Sequence, residues 1–466
     1  MRIPALVLAL VLAVTPLAAA DPVDDYVRSQ LAARHLPGVS LAVVKDGRIV
    51  KASGYGLASL ELNVAASERT VYEIGSISKQ FAANAILLLV EDGKVRLDDL
   101  LSKYLDQTPP AWIGITIRHV LTHTAGLADF DTGKIGFSYR REYTANEFVD
   151  LLGKQPLDFA PGERWNYTNG FPLLGIVVER ASGMPYVDFV RSRIFQPLAL
   201  ESARFKSATE VVPNRADGYL FKDGTYTHGE TLRPMIIAPN GGILINVVDF
   251  AKWDIAVTQG KLLRPASVTE MTTPVRLNDG RTVAHGLGWF LDTFAGHAFG
   301  AHWGTTVTGH SAVIRRYTND HVTVIMLANL DDGGVGIDAM SKRIADMYVP
   351  GVAVQGLKPA PEDRAAVARM RTALNAVAAG VDGAEVVAGF PARLPQPVRT
   401  RLGNALRSAT ELISLGDEQV TARHFNLDPA LARIRWYRLT TGSAHQYLTV
   451  RINGDGKVMG VLIEDQ

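Results

Sequence analysis

The chain has 466 residues, of which 47% are hydrophobic and 20% are charged, so it can bury a full core. Its 48 basic and 47 acidic side chains nearly cancel, which argues against nucleic acid or an anionic membrane as a partner. The absence of cysteine excludes disulfides, thiol nucleophiles and zinc–thiolate sites. The length favours one large domain with a smaller one attached.

The first twenty residues have the pattern of a bacterial-type secretory signal peptide. Arg2 gives a positive start, residues 6–14 are apolar, and residues 18–20 are three alanines suited to cleavage. We therefore predict an exported protein, periplasmic or secreted, whose mature chain begins at Asp21 and keeps no membrane span. The alternative is an uncleaved anchor, but the apolar stretch is shorter than the roughly 20 residues that a span needs.

Residues 21–348 are predicted to form one mixed α/β domain. A helical pattern over residues 24–35 is followed by two strand-like runs, 39–44 and 48–55, around an Asp-Gly turn that is typical of a β-hairpin. The middle of the region is mostly helix and loop. Further strand-like runs and a last helix follow at residues 286–291, 310–316, 321–327 and 336–348. Strands at both ends predict a single sheet in which the early hairpin pairs with the late strands.

A second, smaller domain is predicted after residue 363. Residues 349–363 contain three prolines and few large apolar residues, which indicates a linker. Residues 364–379 and 398–415 have helical patterns, and three alternating runs with an Asn-Gly-Asp-Gly turn predict antiparallel strands. Residues 364–466 are therefore predicted to be a small α+β domain.

Ser76 and Lys79 are the first candidate catalytic pair. Apolar residues recur at helical spacing over residues 77–91, and Gly93 suits a helix C-terminus, so Ser76 lies at a helix start and shares a face with Lys79. A serine hydroxyl needs a base to take its proton, and a lysine can do so when burial and positive potential lower its pKa. The local sequence also fits an N-cap serine beside a solvated lysine.

Two further motifs strengthen the catalytic interpretation. The Ser76-to-Lys79 run resembles the first motif of serine β-lactamases and penicillin-binding proteins, Tyr167-Thr168-Asn169 resembles the second, and residues 302–305, His-Trp-Gly-Thr, resemble the third. Residues 117–127 and 240–249 are similar to stretches of the class C β-lactamase, D,D-peptidase and esterase branch. The resemblance covers residues 24–348. It implies a β-lactamase/transpeptidase-like fold, with helices flanking an antiparallel sheet, and an acyl-enzyme formed at Ser76.

The second motif supplies Tyr167 and Asn169. A phenol has a pKa of about 10, so Tyr167 can act as a base only if cations stabilise its phenolate, and Lys79 and His302 are the candidates. Asn169 has both a donor and an acceptor for an amide group of the substrate. Tyr-Thr-Asn recurs at Tyr317, but after the third motif and in a predicted hairpin turn, so Tyr317 is interpreted as structural.

The third motif supplies His302, Gly304 and Thr305. The resemblance implies an oxyanion hole formed by the backbone N–H groups of Ser76 and Thr305, with Gly304 allowing the substrate backbone to approach closely. His302 stands where class C β-lactamases have lysine. A histidine can be neutral near pH 7, so it would hold the carboxylate of a substrate less firmly than a lysine does.

Other interpretations of single residues are less favoured. His119 and His123 are four apart, as metal ligands on a helix can be, but no glutamate follows His119 and a loop begins at His123, so no metal or cofactor is predicted. Glu163 lies near Tyr167 but is interpreted as a loop residue, because the class A enzymes that use such a glutamate have Ser-Asp-Asn as their second motif.

The predicted function is a serine hydrolase acting on a reactive carbonyl in a small molecule or peptide. Candidate substrates are small esters, D-amino-acid amides or peptides, including cell-wall peptide, and β-lactams. The histidine form of the third motif favours a D,D-peptidase or esterase, with a class C-like β-lactamase as the alternative. A protein that binds penicillin or peptidoglycan covalently without turnover is a further alternative. The C-terminal domain resembles cystatin-like or nuclear-transport-factor-like modules.

Overall fold

A computed structural model of the protein describes residues 21–130, 135–229, 235–331 and 333–465. The predicted signal peptide, residues 1–20, lies outside these ranges. Within them, no helix combines the length and the apolar character required to cross a membrane.

Helices and strands alternate in blocks along the chain. The helices are α1 (Pro22–Ala33), α2 (Ser78–Glu91), α3 (Ile117–Leu121), α4 (Ala145–Gly153), α5 (Pro172–Ser182), α6 (Tyr186–Val190), α7 (Ala238–Gly241), α8 (Val247–Thr258), α9 (Pro265–Met271), α10 (Val335–Tyr348), α11 (Arg364–Ala379), α12 (Phe390–Arg393) and α13 (Gln396–Ser408). The strands are β1 (Gly38–Lys45), β2 (Arg48–Ser59), β3 (Val64–Ala65), β4 (Tyr72–Glu73), β5 (Arg204–Phe205), β6 (Tyr219–Lys222), β7 (Thr225–His228), β8 (Ile243–Ile245), β9 (Val275–Arg276), β10 (Thr282–Val283), β11 (Phe290–Phe294), β12 (His297–Thr306), β13 (His310–Tyr317), β14 (Val322–Ala328), β15 (Glu411–Gln419), β16 (Leu431–Thr441), β17 (Ala444–Asn453) and β18 (Val458–Asp465).

A seven-stranded antiparallel sheet joins the two ends of the larger region, in the order β11-β12-β13-β14-β1-β2-β3. The early hairpin pairs with the last strand, so that Val39 lies opposite Ala328 and Leu41 opposite Met326. The predicted mixed α/β architecture, with an antiparallel sheet and flanking helices, is confirmed. The predicted strand over residues 286–291 is displaced, because β11 begins only at Phe290.

Both faces of this sheet are covered. Along β1, Ala42 and Val44 belong to the core cluster that contains α2, whereas Leu41 and Val43 belong to the cluster that contains α1 and α10. Successive side chains of a strand point to opposite faces, so a strand covered on both sides is apolar throughout. This explains why β1 is a continuous apolar run.

Helix α2 lies inside the larger core. All its residues from Ser78 to Leu89 are buried, which is the pattern of a helix packed on every side. Phe81 of α2 stacks on Trp253 of α8 at 4.6 Å between ring centroids. The position of α2 is therefore fixed by α8, and α8 in turn is attached to the sheet.

The C-terminal domain, residues 364–465, is a four-stranded antiparallel sheet, β15-β16-β17-β18, with α11, α12 and α13. Its own core contains Leu374, Leu402 and Tyr437. The predicted helix over residues 398–415 is wrong beyond Ser408, because residues 411–419 form β15. Leu412 pairs with Leu439 of β16, a contact between distant residues that overrides the local pattern.

The first part of the segment between the two domains is packed, and its second part is half-buried or exposed. Val352, Ala353 and Val354 are buried, and Val354–Gly356 forms a 3₁₀ turn. The division of the chain at residues 349–363 stays a prediction.

A buried ion pair connects the sheet to α8. The guanidinium of Arg316 on β13 donates to Asp254 Oδ1 at 2.8 and 2.5 Å, and both side chains are buried. The same guanidinium lies 4.3 Å from the ring centroid of Trp289. This pair links the sheet to the helix that supports α2.

Substituting Arg316→Met should lower the free energy of unfolding by about 3–5 kcal/mol, because it leaves the Asp254 carboxylate buried without its partner. The double variant Arg316→Met/Asp254→Leu should recover most of that loss, because no buried charge is left. Denaturant unfolding of the two variants and the wild type measures both effects. A double variant that is less stable than Arg316→Met would contradict this account.

Candidate active site

Ser76 lies in a 3₁₀ turn, Gly75–Ile77, that leads directly into α2. The Nζ atom of Lys79 donates a hydrogen bond to Ser76 Oγ at 3.0 Å. Ser76 is partly exposed, whereas Lys79 is fully buried beneath it. The alternative of a solvated surface lysine is therefore wrong.

Lys79 has two further acceptors. Its Nζ atom donates to Asn169 Oδ1 at 3.2 Å and to the backbone oxygen of Asn240 at 3.4 Å. A lysine ammonium has three N–H groups, so these bonds and the one to Ser76 match its donors in number. Burying a charge is costly unless it is hydrogen-bonded in this way. The first and second motifs thus meet at one atom.

Tyr167 lies against this pair. Its ring centroid is 4.9 Å from Lys79 Nζ, and its hydroxyl is hydrogen-bonded with the Ser76 side chain. Burial raises the pKa of Tyr167 above its usual value of 10.0, although the bond with Ser76 acts in the opposite direction. The phenol is therefore neutral at pH 7 before any substrate binds.

His302 of the third motif is buried beside Tyr167, with 6.1 Å between the ring centroids. Its Nδ1–H donates to the backbone oxygen of Trp303 at 2.7 Å. Burial, and then the positive charge of Lys79, lowers the pKa of His302 to about 3. At neutral pH the imidazole carries no charge. The expectation that His302 is a second cation stabilising the Tyr167 phenolate is wrong.

His123 holds the second motif in place. The backbone N–H of Asn166 donates to the backbone oxygen of His123 at 3.0 Å, and that of Thr168 to its Nδ1 at 3.3 Å. Its ring lies 4.5 Å from that of Tyr167, between centroids. His119 instead accepts from the backbone N–H of Thr116 in a helix cap, so the two histidines have separate partners.

Asn169 is engaged within the protein. Its Nδ2 group donates to both carboxylate oxygens of Asp129, at 3.1 and 3.2 Å. Its Oδ1 atom accepts from Lys79 and from Asn240 Nδ2, at 3.2 and 3.0 Å. In this arrangement Asn169 orients Lys79. The side-chain amide of Asn169 can bind a substrate only if one of these hydrogen bonds is replaced by a bond to the substrate.

Gly304 and Gly75 allow the third-motif strand to touch the start of α2. A Cβ atom at Gly304 would lie 1.8 Å from the backbone oxygen of Ile74, and one at Gly75 would lie 2.6 Å from that of Thr305. Gly75 also has a φ of 50°, which L side chains rarely adopt. The absence of a side chain at Gly304 is thus required by the protein's own backbone, and the close approach of substrate backbone at Gly304 stays a prediction.

This contact brings the two expected oxyanion donors together. The backbone nitrogen of Ser76 lies 3.2 Å from the Cβ position of Gly304, and that of Thr305 lies 2.9 Å from the Cβ position of Gly75. Ser76 is at the start of a helical segment, where N–H groups have no acceptor within the helix. The geometry can place two donors beside a carbonyl attacked by Ser76 Oγ.

The architecture and these motifs match known proteins. Residues 23–347 match the beta-lactamase family over most of the larger domain. The chain belongs to the beta-lactamase family. It is also 30% identical over 332 residues to penicillin-binding protein 4* of Bacillus subtilis, an alignment that spans 65% of this chain and 70% of that protein.

Solved structures of the same fold support this membership. The D-amino acid amidase of Ochrobactrum anthropi SV3, complexed with L-phenylalanine, has a TM-score of 0.60 at 26% identity and covers 70% of this chain and 99% of its own. The octameric penicillin-binding protein homologue of Pyrococcus abyssi covers 94% of both chains, with a TM-score of 0.60 at 20% identity, and so shares the fold. The chain is thus a serine hydrolase-type member of the beta-lactamase family, related to penicillin-binding proteins and to D-amino acid amidase.

Several residues around the family motifs were not predicted from the sequence. Asp129 and Asn240 complete the hydrogen bonds around Asn169. For His123 the sequence favoured a hydrogen-bonding loop residue beside the cleft over a metal ligand, and its contact with the Tyr167 ring was not predicted. All three lie in or next to the stretches 117–127 and 240–249, whose similarity to the family was the available signal. Tyr317 is a buried strand residue whose hydroxyl donates to the backbone oxygen of Val352 at 3.2 Å, in agreement with its structural interpretation.

Substituting Gly304→Ala should lower the free energy of unfolding by about 1–3 kcal/mol, because the added methyl group forces β12 away from the turn before α2. Denaturant unfolding measures this loss. Gly454→Ala is the matched control, because a Cβ there meets no atom within 4 Å and should change stability by less than about 0.5 kcal/mol. Equal losses in the two variants would show that the contact with Ile74 is unimportant.

His285 is a further buried imidazole beside the site, with its ring 5.0 Å from that of His123 and 5.4 Å from that of Trp165. Burial lowers the pKa of His285 to about 3. Because the folded pKa lies below the unfolded value of about 6.5, the unfolded chain binds more protons in acid. The stability of the neutral form is therefore fully present above pH 6.5 and is lost as the pH falls toward 3.

Substituting His285→Leu should make the protein less sensitive to acid. The difference in the free energy of unfolding between pH 7 and pH 4.5 should shrink by about 2–3 kcal/mol, because one buried proton acceptor is removed. Chemical unfolding at the two pH values measures it. The exposed His228, substituted to leucine, is the control. An unchanged difference in His285→Leu would mean that this imidazole can be protonated in the folded protein.

Proposed function

We propose that this protein hydrolyses small esters and D-amino-acid amides through an acyl-enzyme at Ser76. The observation that carries the proposal is the convergence on Ser76 of the buried Lys79, whose Nζ donates at 3.0 Å, and of the Tyr167 hydroxyl. A serine held between an amine and a phenol has groups that can remove its proton and return one to a leaving group.

In the acylation step, Ser76 Oγ attacks the substrate carbonyl carbon and its proton passes to the Lys79–Tyr167 pair. The negative charge that forms on the carbonyl oxygen is bound by the backbone N–H groups of Ser76 and Thr305. The pair then gives the proton to the departing alkoxide or amine, and an ester of Ser76 is left. In deacylation, water loses a proton to the same pair, attacks the ester and releases the acid, and Ser76 regains its proton.

The Lys79–Tyr167 pair must lose one proton before it can accept the proton of Ser76. Burial and the Asp129 carboxylate oppose the phenolate of Tyr167, whereas the hydrogen bond with Ser76 favours it. Because Lys79 Nζ lies 4.9 Å from the Tyr167 ring centroid, a protonated Lys79 would also favour the phenolate, and we propose that the two groups act as one proton-accepting unit. His302 does not share this task in our proposal, because its pKa of about 3 keeps it neutral. Its neutral ring instead packs beside the Tyr167 ring.

The state of His302 also bears on the substrate. A β-lactam or a D-alanyl peptide carries a carboxylate, and a neutral, buried histidine offers no positive charge to it. Esters and amides that lack this carboxylate do not need a positive charge at His302, so its neutral state does not weaken their binding. This favours an esterase or D-amino-acid amidase over a D,D-peptidase or a class C-like β-lactamase. The name of the Ochrobactrum relative, D-amino acid amidase, supports the same substrate class.

The location is also a proposal. The pattern of residues 1–20 supports export to the periplasm or the medium, where cell-wall peptides and their amides are present. A covalent penicillin binder without turnover is the second candidate class, and the steady release of product after the first turnover distinguishes an enzyme from it.

A substrate panel tests the proposal. It contains p-nitrophenyl acetate, p-nitrophenyl butyrate, D-alanine p-nitroanilide, a D-alanyl-D-alanine peptide and nitrocefin. The wild type should release p-nitrophenol steadily from the esters, and Ser76→Ala should reduce kcat by about 10³-fold or more. Turnover of nitrocefin or the peptide ahead of the esters and the anilide would overturn the proposed substrate class. Turnover that persists in Ser76→Ala would overturn the nucleophile.

The two Tyr-Thr-Asn runs provide a matched control. Tyr167→Phe should reduce kcat by about 10²–10⁴-fold, because the site loses a group that transfers protons. Tyr317→Phe, which removes a buried hydroxyl outside the site, should leave kcat within about threefold of the wild type and lower stability by about 1 kcal/mol. The reverse order of effects would contradict the assignment of Tyr167.

A further inference from the structure

The C-terminal domain packs along β11, the edge strand of the large sheet next to the third-motif strand β12. The Glu418 carboxylate accepts from the backbone N–H groups of Ala295 and Gly296, at 2.8 and 3.2 Å. Trp436 packs on Phe294, with 4.8 Å between ring centroids. These contacts hold the tip of the β11–β12 hairpin against the C-terminal sheet.

The same domain also reaches the other end of β11. The loop between β15 and β16, residues 420–430, presents Phe425, whose backbone N–H donates to Asp292 Oδ1 at 3.2 Å. The Phe425 ring lies edge-on to Trp165 and to Phe290, with centroid distances of 5.0 and 5.1 Å and interplanar angles of 77° and 74°. Phe425 is half-buried between these rings, although most of its loop is exposed.

Of the two rings that Phe425 touches, Phe290 contacts the Tyr167 ring directly, and Trp165 contacts His123, which itself lies against Tyr167. Phe290 lies 5.9 Å from the Tyr167 ring at an angle of 24°, and 5.4 Å from the His302 ring. Trp165 stands two residues before Tyr167 in the second motif and packs on His285. A single ring, that of Phe290, therefore separates Phe425 from Tyr167 of the second motif and from His302 of the third.

Ordinary packing between domains does not require this residue. The contacts of Glu418 and the apolar cluster of Trp436, Leu415 and Val354 already bury the joint between the domains. Phe425 lies outside that cluster and contacts rings of the catalytic site instead.

We propose that Phe425 is a positioning residue of the active site: the C-terminal domain uses it to fix Trp165 and Phe290, and through them the ring of Tyr167. This inference rests on the proposed catalytic role of Tyr167. The site is then complete only when the C-terminal domain is docked. Aromatic rings packed edge to face have a preferred geometry, so three such rings restrict one another more than aliphatic contacts would. Displacements of about 1 Å in a catalytic group can cost about 10²-fold in rate.

The test uses the full chain with Phe425→Ala, the conservative variant Phe425→Tyr, and Leu462→Ala as the matched control. Leu462 is an exposed apolar residue on the last strand of the same domain. In Phe425→Ala, kcat for p-nitrophenyl acetate should fall by about tenfold or more while KM changes by less than about threefold, because a catalytic group loses its position. Phe425→Tyr should restore kcat to within about threefold of the wild type, and Leu462→Ala should leave it unchanged.

Hydrogen–deuterium exchange of the same proteins provides a readout that needs no activity. Phe425→Ala should increase exchange in residues 163–171 and 287–292, and leave exchange in α11 and β16–β18 unchanged. The proposal is overturned if exchange in those two segments does not change, or if the whole C-terminal domain becomes less protected, because Phe425 would then serve only folding. It is also overturned if kcat stays within twofold of the wild type.

The two proposals fail in different ways. If the wild type shows no turnover that depends on Ser76, the proposed function fails, and the exchange experiment still decides whether Phe425 fixes the Tyr167 segment. If the wild type is active and Phe425→Ala loses kcat without the predicted change in exchange, the hydrolase proposal stands and the positioning proposal is rejected.

Discussion

The buried Nζ group of Lys79 is the point on which the arrangement of the site depends. A fully buried lysine is tolerated only if its donors are satisfied, and here they are directed at Ser76, Asn169 and the backbone of Asn240. Each acceptor comes from a different part of the chain, so satisfying one amine brings three segments together. Asp129 extends the network by accepting from Asn169. The need to satisfy the donors of one buried side chain thus determines the geometry around Ser76, the proposed nucleophile.

A second constraint is the distance between the start of α2 and β12. The two backbones approach so closely that a methyl group at Gly304 would overlap the oxygen of Ile74, and Gly75 meets Thr305 in the same way. This approach sets the spacing of the Ser76 and Thr305 backbone nitrogens. The proposed oxyanion site would therefore depend on two residues that bear no side chain, and on the sheet and α8, which hold β12 against the start of α2.

The sequence predicted the parts that local pattern determines. Ser76 and Lys79 share a helix face, and the early hairpin pairs with the late strands as expected. Parts that depend on packing between distant segments were not predictable. Burial makes His302 neutral, which its motif does not reveal, and pairing with β16 converts residues 411–419 into a strand. Neither Phe425 nor its contact with Trp165 follows from any local signal.

Burial acts in opposite directions on the groups around Tyr167. It raises the pKa of the phenol and lowers those of His123, His285 and His302, so each of these groups is pushed toward its neutral form. A positive charge at Lys79 surrounded by neutral rings acts more strongly on Ser76 and Tyr167 than it would in water. Lys79, His285 and His302 are buried whereas Ser76 is partly exposed, so the rings exclude water from one side of the site while a substrate can still reach Ser76. The larger sheet ends at β11, on the side where these rings lie, and the C-terminal domain covers that edge.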